Sequence, residues 1–359
     1  MNQTVIEKVT KMRSSNLELY RIICMLMIVA HHLVVNSGLT GLQGPMTTHP
    51  ANINTALLWS FGMWGKTGIN CFLLITGYFM CKSTITIKKF LKLILQIYLY
   101  KIVIFGIFLF LGYETFSLIR IVKLMMPVWG INQNFTSCFL VFWLTIPFWN
   151  ILIHNMTKRQ HQLLLVLLLC IYTLLGSIPK FVITFNYVTW FGVIYLISSY
   201  IRLYPHPVFE NKKIWGGLLF LSIVLAICSM LLILHLFGSS LAPFFVGESN
   251  RFFAVAVAVF SFLLFKAIKL SYSKWINLIG GSTFGVLLIH ANSDAMRTWL
   301  WVDTVDCVGH YNLPVMNLFF YCLSVVCVVF ILCILIDRLR IKLIEIPFFK
   351  WYDNRFIYK

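Results

Sequence analysis

The chain alternates between apolar runs of roughly twenty residues and short polar or basic stretches, and this alternation predicts its elements. A run of that length covers a hydrocarbon core of about 30 Å as a helix. Ten such helices are predicted, at about 19–36, 57–81, 90–112, 137–154, 161–177, 184–202, 214–237, 251–268, 275–292 and 314–336. The predicted fold is therefore all-α, a polytopic membrane protein with about ten transmembrane helices. Its organisation is a basic arm (1–18), a membrane domain (19–336) and a basic, aromatic tail (337–359) that reads as an interfacial anchor.

Composition agrees with the pattern. The 359 residues are 60% hydrophobic and 11% charged, with a mean hydropathy of +0.87, whereas soluble domains are near one quarter charged. A net charge of +18 raises the question of nucleic acid, but the basic residues are dispersed rather than gathered into one stripe, so no nucleic-acid partner is expected. They follow topology instead. With the N-terminus inside, 21 of the 29 Lys and Arg fall in cytoplasmic segments and five in outer ones; the other three, Arg21, Lys66 and Lys101, lie within or at the edge of spans. This bias puts both termini in the cytoplasm. The ten cysteines contain no C-x-x-C pair and no His/Cys cluster at zinc spacing, so neither a disulfide framework nor a metal site is expected.

Ionisable groups inside membrane spans are costly and are candidates for function. The first span carries Glu18 and Arg21 at one end and His31 and His32 towards the other. At 100° per residue, the eleven positions from Arg21 to His32 return within roughly 20° of the same face and rise about 16 Å. Glu18 is three residues from Arg21, close enough to orient it. With this orientation Arg21 is near the cytosol and His32 in the outer half of the bilayer. His290 ends the ninth span at a similar depth, where the two imidazoles could share a cavity. Lys88, Lys89 and Lys92 open the third span near the level of Arg21. Lys66 is an intramembrane lysine that needs a carbonyl, a carboxylate or water beside it. Asn70, Thr76 and Lys66 are candidate donors to an oxyanion. There is no P-loop, no G-x-S-x-G elbow and no H-E-x-x-H.

Glu18-Leu19-Tyr20-Arg21 followed by His32 resembles the opening motif of the acyltransferase-3 family, integral membrane O-acyltransferases of bacteria. Gly68-Ile69-Asn70-Cys71-Phe72-Leu73-Leu74-Ile75-Thr76-Gly77-Tyr78-Phe79 is similar to that family's G-V-x-x-F-F-x-x-S-G-F/Y stretch. Lys89 and Lys92 fall where members often carry R-x-x-R. Pro147 to Asn150, Ser282 to His290 and Glu345-Ile346-Pro347 resemble later elements, in order. The resemblance implies transfer of an acyl group, commonly acetyl, from cytoplasmic acyl-CoA as co-substrate to a hydroxyl of a cell-surface, capsular or lipid-linked glycan, in the bacterial cytoplasmic membrane. On this reading Arg21, Lys89, Lys92 and Thr76 contribute to donor binding. His32, favoured over His31 by the family pattern, is general base or transient acyl carrier, supported by Glu18, Arg21, His290, Asn70 and Lys66. Lysine in place of arginine removes the planar fork for phosphate, which bears on donor binding more than on reaction class. A transporter or flippase for a glycan or small anion is the alternative; the fixed Glu/Arg/His spacing and the lack of visible repeat symmetry favour the enzyme.

Overall fold

The computed structural model describes residues 14–356 except 127, 130, 132 and 133. Lys8, Lys11 and Arg13 of the predicted basic arm lie outside the described residues. Those described form helices and connecting segments, with no strand. The principal helices are α1 (Ser15–Val35), α2 (Ile53–Gly62), α3 (Gly65–Met80), α4 (Ile87–Phe110), α5 (Phe135–Asn155), α6 (Lys158–Leu168) and α7 (Tyr187–Leu203). They continue with α8 (Lys212–Phe237), α9 (Phe252–Ala267), α10 (Lys274–Gly280), α11 (Thr283–His290), α12 (Val315–Arg340) and α13 (Ile346–Phe356). Side-chain caps start several of them: Asn134 accepts from the Thr136 amide and Asn186 from the Val188 amide, while Thr157 and Gln160 form a reciprocal capping box.

Among the described residues six stretches are long and apolar enough to cross a membrane: Ser15–Val35, Ile87–Phe110, Phe135–Asn155, Lys158–Ser177, Lys212–Phe237 and Val315–Phe356. The other four predicted spans are helical but shorter or broken. α7 and α9 have 17 and 16 residues. The second predicted span divides into α2 and α3, and the ninth into α10 and α11. Both breaks lie against α1, and the glycine beside each has a steric reason. A Cβ on Gly65 would enter the His31 ring, and a Cβ on Gly280 would collide with the Glu18 carboxylate. Polar side chains of α1 thus occupy the space that a side chain at either position would fill.

α1 is the central element. It packs against α2, α3, α9, α10, α11 and α12, while α3 also packs against α7 and α9. Its apolar side chains Cys24, Met25, Val29, Leu33 and Val34 are fully buried. The Tyr20 hydroxyl lies 2.8 Å from Ser261 Oγ of α9, which satisfies a polar tip that burial would otherwise penalise. α8 is peripheral, with Phe220 71% and Leu232 59% exposed. Exposed apolar side chains of that size along a long helix fit a lipid-facing surface.

α12 runs past the predicted end of the last span, to Arg340, and continues through a π-wound turn into α13. This turn is tied to its surroundings by charge. Buried Asp337 Oδ1 accepts from Tyr100 Oη at 2.8 Å and Arg340 Nε at 2.9 Å; Arg340 Nη1 donates to Glu345 at 2.6 Å. Glu345 also pairs with Lys92 at 2.5 Å, and Lys88 with Asp353 at 2.6 Å. The predicted interfacial tail is therefore docked onto the start of α4. Removing one partner of a buried ion pair costs about 3–5 kcal/mol because the other charge stays buried. Arg340→Met should lower the detergent-solubilised melting temperature by roughly 5–10 °C. The double variant with Asp337→Asn should recover part of that loss in the same measurement.

Candidate active site

α1 lines two cavities, one with Arg21 and the other with Met25, Ile28 and His32. At the Arg21 end, a cavity of about 340 Å³ is lined by Arg21, Lys89, Lys92, Gln96 and aromatic side chains including Phe139 and Trp143. Arg21 donates to Glu18 at 2.9 and 3.1 Å, as the three-residue spacing predicts. Lys89 Nζ donates to Ser83 Oγ and the Thr84 carbonyl at 2.6 and 2.7 Å, so its neighbours are neutral. Lys92 reaches the cavity but is ion-paired to Glu345, which takes up part of the charge expected for a ligand. Thr76 is not among the lining residues. Its hydroxyl bonds back to the Phe72 carbonyl at 3.0 Å within α3, the usual fate of a mid-helix threonine, so the donor-binding role expected for it has no support in its position.

At the other end a chamber of about 140 Å³ is lined by His32, Lys66, Lys101, Tyr187, Arg297 and apolar residues. His32 Nδ1 lies 2.9 Å from His290 Nε2, and His290 Nδ1 lies 2.6 Å from the Val286 carbonyl. A carbonyl only accepts, so His290 carries its proton on Nδ1. Its Nε2 is then an acceptor when neutral, and His32 must donate from Nδ1. The chain of bonds leaves His32 Nε2 as the unprotonated nitrogen, the one available to take a proton. His290 is fully buried, edge-on to Trp301, and is not among the chamber's lining residues. It sits behind His32, away from the chamber.

The neighbouring imidazole is held differently. His31 Nδ1 donates to the Gly62 carbonyl at 2.7 Å and its ring covers Gly65, so it braces the break between α2 and α3. Lys66 projects into the chamber, with its ammonium 2.5 Å from the Tyr187 hydroxyl. Asn70 does not reach it. Its amide donates to the Ser249 carbonyl at 2.7 Å, its oxygen accepts from Trp190 Nε1 at 2.9 Å, and the residue is fully buried. With donors and acceptor engaged in joining three segments, Asn70 has nothing left for an oxyanion, and the role expected for it is corrected to a structural one. Sequence reasoning did not single out Arg297 or Phe72. Among the described residues Phe72 alone lines both cavities, and the Arg21 guanidinium lies 5.7 Å from its ring centroid. The signal for Phe72 was its place between Asn70 and Thr76 in the second motif; for Arg297 there was none.

A family model described as an acyltransferase domain matches residues 14–336. The chain belongs to the acyltransferase-3 family. No curated protein and no solved structure matches it. The matched region begins just before α1 and ends within α12, so it encloses both cavities of this acyltransferase-3 chain. Family and apolar helices together make it a multi-pass membrane acyltransferase.

The hydrogen-bond chain makes a prediction specific to position over contact. His290→Ala should lower kcat for acyl transfer by ~10²-fold, the scale of a lost acid–base contribution, with KM for the donor little changed. Its pH–rate profile should also shift, because the imidazolium of His32 loses its hydrogen-bond partner. A profile identical to wild type would mean that His290 only fills space.

Proposed function

We propose that the protein transfers an acyl group, acetyl in the simplest case, from cytoplasmic acyl-CoA to a hydroxyl of a cell-surface, capsular or lipid-linked glycan. It would do so from the bacterial cytoplasmic membrane, with ten spans and both termini in the cytoplasm, the arrangement that the basic-residue bias supports. The observation that carries the reading is that Arg21 and His32, on one face of α1, each line a cavity and that the two cavities meet at Phe72. A CoA thioester is anionic at one end and reactive at the end of a long arm. Cations at the Arg21 end and an imidazole about 16 Å further along the same helix match that polarity.

In the proposed reaction Arg21 and Lys89 hold the phosphates, with Lys92 contributing in proportion to its release from Glu345. The acyl arm passes Phe72 into the His32 chamber. His32 Nε2 takes the proton of the acceptor hydroxyl as its oxygen attacks the thioester carbonyl. The carbonyl oxygen becomes an oxyanion beside the Lys66 ammonium, the donor that the chamber presents. Collapse breaks the carbon–sulfur bond, and the thiolate leaves as CoA thiol with the proton from His32. Atoms and charge balance without a metal, and among the described residues no cluster of three or more His, Cys, Asp or Glu suits one. The His32–His290 bond favours this over transport, because it prepares a proton acceptor rather than a permeation path.

Two measurements test the reading. His32→Ala, checked for normal membrane insertion, should abolish acyl transfer to surface glycan in isolated membranes, and undiminished transfer would remove His32 from the mechanism. Phe72→Ala should join the cavities and raise His32-dependent hydrolysis of acyl-CoA by water several-fold over glycan transfer, read as CoA thiol released per acyl group transferred.

A further inference from the structure

The His32 chamber does not end at His32. It opens into a vestibule of about 650 Å³, and the two share Lys101, Asn134, Asn292 and Arg297 in their linings. Among the described residues the chamber is lined by three cations, Lys66, Lys101 and Arg297, and by no carboxylate. The vestibule adds Arg120 and Lys123 against Glu114 and Asp294. Those two carboxylates are engaged locally, Glu114 with Arg120 and Asp294 with Arg297.

Of these cations, the two at the junction itself have capacity left over. Lys101 lies well within α4, where an ammonium without a counter-charge is costly, and it has no hydrogen bond or ion pair among the described residues. Lys66, by contrast, has Tyr187. Arg297 bonds Asp294 through Nη1 at 2.8 Å, but its Nε is buried without a hydrogen-bond partner. A buried orphan donor and an unpaired lysine at one junction describe half of an ionic site.

We infer that the junction of chamber and vestibule is a phosphate-binding site, in which Lys101 and Arg297 hold a phosphate group carried by or beside the acceptor. This rests on the proposal that the His32 chamber receives the acceptor. A phosphate is favoured over a carboxylate because its oxygens are tetrahedrally arranged and point in different directions, which lets it engage a guanidinium and an ammonium from different elements together. The phosphate has two possible sources, a lipid headgroup or carrier and the glycan itself. In either case the ligand would place a neighbouring hydroxyl against His32 Nε2, and the acceptor class becomes a phosphate-bearing saccharide or lipid-linked saccharide.

The test uses the full-length protein in phosphatidylcholine nanodiscs without acyl-CoA, titrated with inorganic pyrophosphate by calorimetry. Wild type should bind, and Lys101→Gln and Arg297→Gln should each weaken binding tenfold or more while retaining the wild-type melting temperature without ligand. Lys158→Gln, at the start of α6, should leave it unchanged. Replacing one third of the lipid with phosphatidylglycerol separates the sources: an apparent affinity lowered severalfold assigns a lipid phosphate, and an unchanged affinity assigns one on the glycan. The inference is overturned if wild type fails to bind pyrophosphate at millimolar concentration. It is equally overturned if Lys101→Gln and Arg297→Gln bind normally while Arg21→Gln does not, which would put the anion in the other cavity. Because binding is read without the donor, this failure is distinct from loss of acyl transfer in His32→Ala.

Discussion

The hydrogen bond from His32 to His290 is the interaction on which the proposed chemistry of this protein depends. An imidazole is amphoteric, and in a partly dry chamber its useful nitrogen is decided by what holds the other one. Here the decision starts at a backbone carbonyl, Val286, passes through His290 and ends with a bare Nε2 on His32. The bond joins residues 258 apart in the chain, so it requires that α11, beyond the break that follows α10, lie against α1. The glycine at that break, Gly280, is in contact with Glu18, the partner of Arg21. Both ends of this face of α1 are therefore packed against the same segment, α10 and α11.

Charge is subject to the same constraint. The membrane interior tolerates ionisable groups only when they are paired or face a cavity. Asp337, Arg340 and Glu345 are buried and paired with one another, Lys92 is tied to that group, and Arg21 is tied to Glu18. Against this background the cations around the His32 chamber stand apart, since Lys101 faces open volume without a counter-charge among the described residues. Phe72 lies between the two electrostatic regions, and in the proposed function it separates a donor on one side from an acceptor on the other.

Hydrophobic runs and helical periodicity are local properties, and the features they set were legible in the sequence: the all-helical class, the positions of the helical segments, the Glu18–Arg21 pair and the alignment of Arg21 with His32. The family pattern added the preference for His32, while the contacts of His31 with Gly62 and Gly65 appear only in the tertiary structure. Features that depend on which helices meet were not legible. Asn70 looked like a free donor within a motif, and only the approach of Trp190 and Ser249 shows that it is sealed. Lys92 looked like an unpaired cation, and only the tertiary structure brings Glu345 beside it. The pairing of His32 with His290 and the convergence of Lys101 and Arg297 were likewise decided by tertiary structure, because a side chain's spare hydrogen-bonding capacity is set by neighbours that come from distant parts of the chain.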